Sequence, residues 1–349
     1  MSSEGRDRLF FLLSGEHPTL PHAELEAILE AEGFSFRPLS RLAQLSELEC
    51  DRSCCRPVLE RASMVRACCL ELLRCPADEE AMLGSVGEAP LRELLRPGQS
   101  FRVRIRRVRG SCPGLDIMGL EKEIGSIIYG AVGGLKVDLR SPDVDFLGVL
   151  TEGWFFFGLK LGEARGGFGA RRPSRRPFFH PTAMMPKLAR CMVNLARARP
   201  GELILDPFCG TGSILVEAGL LGCRILGSDI SPRMAFGCLL NLRFLGLEPD
   251  GIVVADALAP PFPEGDRVVT DPPYGRSAST AGRSTRGLYE DLLALIPELL
   301  PPGKMACLAA PSDLCVADMA RDMGLGPVEA HYYFVHSGLT RELLVVRVP

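Results

Sequence analysis

The sequence predicts an α/β chain: a C-terminal Rossmann-like, doubly wound and mostly parallel sheet with a reversed edge strand, preceded by an α+β region. Three observations predict it. From about Phe178 onward, short apolar runs alternate with helix-period stretches, the rhythm of parallel strands joined by crossover helices. Four of those runs end at or near an acid, Asp206, Asp229, Asp256 and Asp271, and open α/β sheets bind ligands at strand carboxyl ends. The last two runs, 328–335 and 343–348, are spaced as an antiparallel pair.

The elements follow in order. Residues 9–13 are a strand-sized apolar run, and an amphipathic helix over 23–31 is started by Pro21. Residues 1–52 are therefore expected as a ferredoxin-like α+β region. Over 53–160 the pattern predicts helices at 64–73 and 91–95, then an alternating strand from Phe101 to Arg106. Its period of two puts Arg102, Arg104 and Arg106 on one face and the apolar residues on the buried one. An apolar run at 124–128, a stretch at 136–139 and the aromatic strand 151–159 complete this region; such aromatic strands are more often core than base-stacking surfaces. Residues 161–177 read as an exposed linker rich in Gly, Pro and Arg, and 178–349 as the catalytic domain. A helix over 182–197 opens that domain.

Composition bounds the function. At 349 residues and 46% hydrophobic content the chain supports two or three domains with real cores. No apolar run reaches the length of a membrane span, and Met1-Ser2-Ser3-Glu4-Gly5 lacks the charge and apolar core of a signal peptide. A cytoplasmic chain without a membrane partner is expected. The 13 cysteines point to a reducing compartment unless they form a disulfide framework. Cys50, Cys54, Cys55, Cys68, Cys69 and Cys75 crowd one region without a C-x-x-C spacing, so they are expected as small buried thiols and no metal is assigned.

The net charge of −3 is unevenly spread. Between Phe101 and Pro177, fourteen Lys or Arg stand against eight Asp or Glu, an excess of six, so the remainder carries −9. The arginine strand holds part of the excess. Arg165, Arg171, Arg172, Arg175 and Arg176 hold the rest, in a segment with no acid. Upstream of a catalytic domain, both clusters are expected to contact phosphates.

Two motifs carry the chemistry. Asp206-Pro207-Phe208-Cys209-Gly210-Thr211-Gly212 follows an apolar strand and precedes a helix, with Gly at alternate positions where a ligand approaches the backbone. The dinucleotide fingerprint would need a third Gly where Leu215 stands. Asp206 suits a cationic amino-acid ligand better than a pyrophosphate. Asp229 suits both hydroxyls of a ribose, and Asp256 the edge of an adenine. This ordered set describes a site for S-adenosylmethionine. The second motif, Asp271-Pro272-Pro273-Tyr274, suits methylation of an exocyclic amine on a flat ring. The carboxylate and the Pro272 carbonyl would accept the amine's two N–H bonds, the prolines would fix both acceptors beforehand, and Tyr274 would offer a stacking face. Cys209 is expected to pack beside the cofactor, since amine methylation needs no thiol nucleophile.

Together these residues resemble the class I S-adenosylmethionine-dependent amino-methyltransferases. The segments Phe178-Phe179-His180-Pro181-Thr182 and Val335-His336-Ser337-Gly338-Leu339-Thr340-Arg341 narrow the likeness. With the two motifs, they look like the archaeal THUMP-domain tRNA (guanine(10)-N2)-methyltransferase and dimethyltransferase family, whose eukaryotic relative is the catalytic subunit of a two-protein enzyme. The likeness is clear over about 100–349. Val-Asp-Leu at 137–139 and Pro-Asp at 142–143 before a Phe-rich strand likewise look like a THUMP domain, an RNA-binding module. The segment Ser277 to Gly287 departs from the family pattern. The resemblance implies transfer to the N2 amine of guanosine 10, once and then twice. It also implies tRNA as partner, a small activator protein as a further subunit, and otherwise a monomer. It places His180 and Thr182 before a helix closing over the cofactor, and Ile230 and Ala257 beside it. Other readings stay open: a methyltransferase acting on DNA or on a protein amide, or a non-catalytic RNA-binding subunit.

Overall fold

The computed structural model describes residues 6–274 and 284–349. The expectation for Met1–Gly5 therefore lies outside the described residues, as does most of the divergent segment after the second motif. The chain forms two units. The first runs to Arg165, except that Glu26–Glu32 and Arg61–Ser63 group with the second, Gly166–Pro349.

The first unit holds β1 (Asp7–Leu13), α1 (Leu20–Ala31), β2 (Arg37–Leu42), β3 (Leu45–Cys50), α2 (Cys55–Arg61), β4 (Val65–Pro76), α3 (Glu79–Glu88), α4 (Leu91–Leu94), β5 (Ser100–Arg107), α5 (Ile117–Ala131), β6 (Lys136–Val137), β7 (Val144–Thr151) and β8 (Trp154–Glu163). One eight-stranded sheet, ordered β2-β3-β1-β4-β8-β7-β5-β6, carries strands from both the 1–52 and the 53–160 segments. In β5 the alternation is as expected: Phe101, Val103 and Ile105 are buried, Arg102 and Arg104 half-buried and Arg106 exposed. The apolar face packs on Leu120, Ile124 and Ile128 of α5 and on Phe146, Phe155 and Phe157. The aromatic strand is thus core. Its outlier is Trp154, which lies under the Arg74 guanidinium 4.2 Å from the ring centroid.

Two expectations need correction here. Residues 64–73 were expected as a helix, and Met, Leu, Glu, Arg and Ala there do favour one. Residues 65–73 lie instead in β4, a strand paired on one side with β1 and on the other with β8; sheet pairing overrides local propensity. The second concerns cysteine. Cys55 and Cys68 are joined as a disulfide, while Cys50, Cys54, Cys69 and Cys75 are buried free thiols.

The second unit contains α6 (Pro186–Leu195), β9 (Leu203–Asp206), α7 (Ser213–Leu220), β10 (Arg224–Asp229), α8 (Pro232–Phe244), β11 (Gly251–Val254), β12 (Arg267–Thr270), α9 (Thr285–Leu299), β13 (Met305–Pro311), α10 (Val316–Asp322), β14 (Gly326–His336) and β15 (Leu339–Arg347). The sheet order is β11-β10-β9-β12-β13-β15-β14, with the first five strands parallel. The reversed strand is β15, which pairs antiparallel with both β13 and β14 and so lies one place in from the edge. Helix α6 starts at Pro186, four residues later than expected. Proline there pre-sets the first turn and pushes Met185 out of helical geometry. Leu205, Val268, Ala306 and Leu344 from four strands meet Leu292 and Ile296 of α9 in the core.

Candidate active site

The loop between β9 and α7 is built by backbone geometry. Gly210 and Gly212 both have positive φ, 52° and 82°, where a side chain is strained. At Gly212 a Cβ would also meet Cys238 Sγ at 2.7 Å. Gly212 caps α7, so its conformation sets where the helix begins. Asn241, fully buried on α8, fastens the loop: its amide nitrogen donates to Thr211 O at 3.0 Å and Phe178 O at 2.9 Å.

A cavity of about 320 Å³ opens at the carboxyl ends of these strands, within the range of small-ligand sites. Every residue expected at the cofactor and catalytic positions lines it except Gly212, which acts from behind through the loop. Asp206 is 1% exposed; its Oδ1 accepts from Thr270 Oγ1 at 2.7 Å and from the Phe208 amide at 3.2 Å. Burial pushes its carboxyl up to about 7, outweighing the Thr270 and Phe208 bonds. Asp229 closes β10 and accepts from Gly210 N at 3.1 Å and Ser231 N at 2.8 Å, one bond on each oxygen. Burial raises its pKa as well. Asp256 lies two residues past β11 and accepts from Leu258 N at 3.1 Å. His180 Nδ1 and Thr182 Oγ1 are 2.8 Å apart at the rim.

At the other end, Asp271 follows β12, and Pro272, Pro273 and Tyr274 form the wall. The Tyr274 hydroxyl is hydrogen-bonded to Asp271 Oδ1. Arg341 of β15 donates to Asp271 Oδ2 at 2.9 Å and to the Tyr274 oxygen at 2.6 Å. Burial raises the Asp271 pKa, against the pull of Arg341 and the Tyr274 bond. Arg341, Thr270 and Asn241 were not expected here. For Arg341 a signal existed: Arg341-Glu342 opens the otherwise apolar run Leu343 to Val346, and a charged pair at the mouth of a buried strand needs partners.

The arginines divide. Arg171 makes a two-point pair with Glu217, at 2.6 and 3.0 Å; Glu217 is fully buried on α7 and shared with Arg190. Arg176 is 6% exposed and donates to Ser213 Oγ at 3.1 Å and Arg171 O at 3.0 Å. Arg171 and Arg176 therefore correct the expectation of an exposed linker in contact with phosphate: they tie this segment to α7. Arg165, Arg172 and Arg175 are exposed. In the first unit, Arg102 pairs with Asp145 and Arg104 with Glu121, at 2.5 and 3.2 Å.

Two family models match the chain: a THUMP domain over residues 76–158 and an RMKL-like methyltransferase domain over 173–342. The tRNA (guanine(10)-N2)-dimethyltransferase of Methanothermobacter thermautotrophicus is 38% identical, with 97% of this chain and 98% of that protein covered. The enzyme of the same name from Methanocaldococcus jannaschii is 31% identical over 97% of this chain and 99% of its own. Among solved structures, TrmN from Thermus thermophilus superposes with a TM-score of 0.57 at 24% identity, covering 98% of this chain and all of that one, which shows a shared fold. On these grounds the chain belongs to the archaeal tRNA (guanine(10)-N2)-dimethyltransferase family, with a THUMP domain ahead of its methyltransferase domain.

Proposed function

We propose that this enzyme methylates the exocyclic N2 amine of guanosine 10 in tRNA, first to N2-methyl- and then to N2,N2-dimethylguanosine, with S-adenosylmethionine as donor. The observation that carries the reading is that one cavity holds both motifs: the glycine loop with its acids at one end, the Asp271–Tyr274 turn at the other. The cofactor supplies an electrophilic methyl group on a sulfonium centre. The residues present fit it. Asp206 is a buried acid that pairs with no cation among the described residues, suited to an amino-acid ammonium group. Asp229, with a lone pair left on each oxygen, would hold the ribose, Asp256 would hold the adenine edge, and Ile230 and Ala257 would offer it apolar surface.

Asp271 and the Pro272 carbonyl accept the N–H bonds of the guanine amine, which turns its lone pair out of conjugation and toward the methyl group. Transfer is direct, with no covalent intermediate on the protein; the proton leaves the methylated amine to Asp271 or solvent. Tyr274 lies beside the ring. Phosphates of the tRNA are met by Arg106, Arg165, Arg172 and Arg175, all exposed. A small activator subunit has a surface suited to it on α8, where Phe236, Leu240 and Phe244 form an exposed stripe at helical spacing.

The test is incubation with labelled S-adenosylmethionine and unmodified tRNA, followed by nucleoside mass spectrometry. N2-methylated guanosine supports the reading. Label in N6-methyladenosine or N4-methylcytosine, or transfer to DNA alone, would overturn it.

A further inference from the structure

Arg341 stands on β15, 70 residues beyond Asp271 and opposite Pro311 at the end of β13. Its guanidinium bridges two groups, with Nη2 on Asp271 Oδ2 at 2.9 Å and Nε on the Tyr274 oxygen at 2.6 Å. The Tyr274 hydroxyl closes the circuit on Asp271 Oδ1. The guanidinium carbon also lies 5.4 Å from the Tyr274 ring centroid, in cation–π range. The side chains of Arg341 and Asp271 are 11% and 17% exposed, and both line the cavity.

We infer that Arg341 is a positioning residue for methyl transfer: it locks the Asp271 carboxylate and the Tyr274 phenol into one arrangement at the cavity. The inference rests on the reading that Asp271 accepts the target amine. A carboxylate tied at both oxygens cannot swing about its Cβ–Cγ bond, so its remaining lone pair on each oxygen stays aimed. Lysine could supply the charge but not the fork that engages both partners.

Charge acts in the same direction. Burial drives the Asp271 carboxyl up, and Arg341 is the largest influence opposing it. Among the described residues, the other titratable groups around Asp271 are Asp206 on β9, Tyr274 in the turn and Tyr289 on α9, and none of these three carries positive charge. Without Arg341 the carboxyl would therefore hold its proton to higher pH, and a protonated carboxyl offers a donor where the amine needs an acceptor.

The test is steady-state kinetics of the full-length enzyme on a tRNA transcript across about pH 6 to 9, with S-adenosylmethionine affinity measured by calorimetry. Wild type, Arg341→Ala and Arg341→Lys are compared. We expect Arg341→Ala to lower kcat roughly ten- to a hundredfold while KM for tRNA and cofactor affinity stay within about twofold. Its acid limb should move to higher pH, so the deficit shrinks as pH rises. Arg341→Lys should restore the limb and only part of kcat. Unaltered cofactor affinity reports an intact fold, and if the alanine variant does not fold, the lysine variant carries the same test. An unchanged or raised kcat, a loss confined to KM or cofactor affinity, or an unmoved limb would overturn the inference while active wild type keeps the underlying reading. A wild type that transfers no methyl to guanosine N2 would remove both.

Discussion

The two ends of the cavity are held by different means. At the glycine-loop end, Asp206, Asp229 and Asp256 each accept backbone N–H groups from within two residues along the chain. At the Asp271 end the bonds are between side chains, and one partner, Arg341, comes from 70 residues away. The first end is shaped by local turns, and Gly210 N on Asp229 and Thr270 Oγ1 on Asp206 join those turns across strands. The second exists only because the reversed strand β15 is inserted beside β13. On the proposed function, cofactor binding and presentation of the target amine therefore rest on largely different bonds, joined at Thr270, which precedes Asp271 and donates to Asp206.

The largest expected effect tests that separation directly. Asp271→Ala should lower turnover at least roughly a hundredfold, about 3 kcal/mol, with cofactor affinity nearly intact. Equal losses of rate and affinity would break the comparison. Asp229→Ala should do the converse: calorimetry should read a loss of about 1.5 to 3 kcal/mol in cofactor binding, with near-normal rate at saturation. Unchanged affinity in a folded Asp229→Ala protein would mean that β10 does not serve the ribose.

A smaller effect is set by pH. Burial places the Asp206 carboxyl at about 7, and an ammonium ligand selects its ionised form. Below that pH binding must expel a proton, so cofactor affinity should rise severalfold from about pH 6 to about 7.5, above which the ligand's own amine begins to lose its charge. Asp206→Asn should flatten the profile. The stability of the protein measured without added cofactor runs the other way. The folded state keeps a proton that the unfolded chain releases near its ordinary value, so this residue's contribution falls as pH rises from about 4 to about 7. Thermal melts of wild type and Asp206→Asn across that range check the sign.

The smallest effect lies outside the cavity. Substituting Arg165, Arg172 and Arg175 together with Gln should weaken tRNA binding and reduce its salt slope by roughly 2 to 3, leaving cofactor affinity unchanged. Arg171→Gln should behave differently, lowering the melting temperature because Glu217 loses its two-point partner while fully buried. Similar behaviour of the two variants would contradict the division drawn between exposed and inward-turned arginines.

What was legible in the sequence follows the same line. Asp206 to Gly212, the strand-end acids and the Asp271–Tyr274 turn could be placed because their geometry is local: a strand, a turn and a helix start within a dozen residues. The alternation of β5 was legible for the same reason. Arg341 could not be assigned a role, since nothing near position 341 says that β15 will lie beside β13. Arg171 and Arg176 sit in a Gly/Pro-rich stretch that looks like a solvated linker, and their partners Glu217 and Ser213 are 46 and 37 residues away. Strand β4 was mistaken for a helix because its residues favour one and only its neighbours β1 and β8 make it a strand.

The central claim is most directly tested by mapping the methylated nucleotide. Full-length unmodified tRNA would be incubated with the enzyme and S-adenosylmethionine, digested with a nuclease and sequenced by mass spectrometry over time. Mass should be added at guanosine 10 alone, one methyl group first and a second later, and at least roughly a hundredfold more slowly with Asp271→Ala. Methylation at another nucleotide, or undiminished methylation by Asp271→Ala, would contradict it.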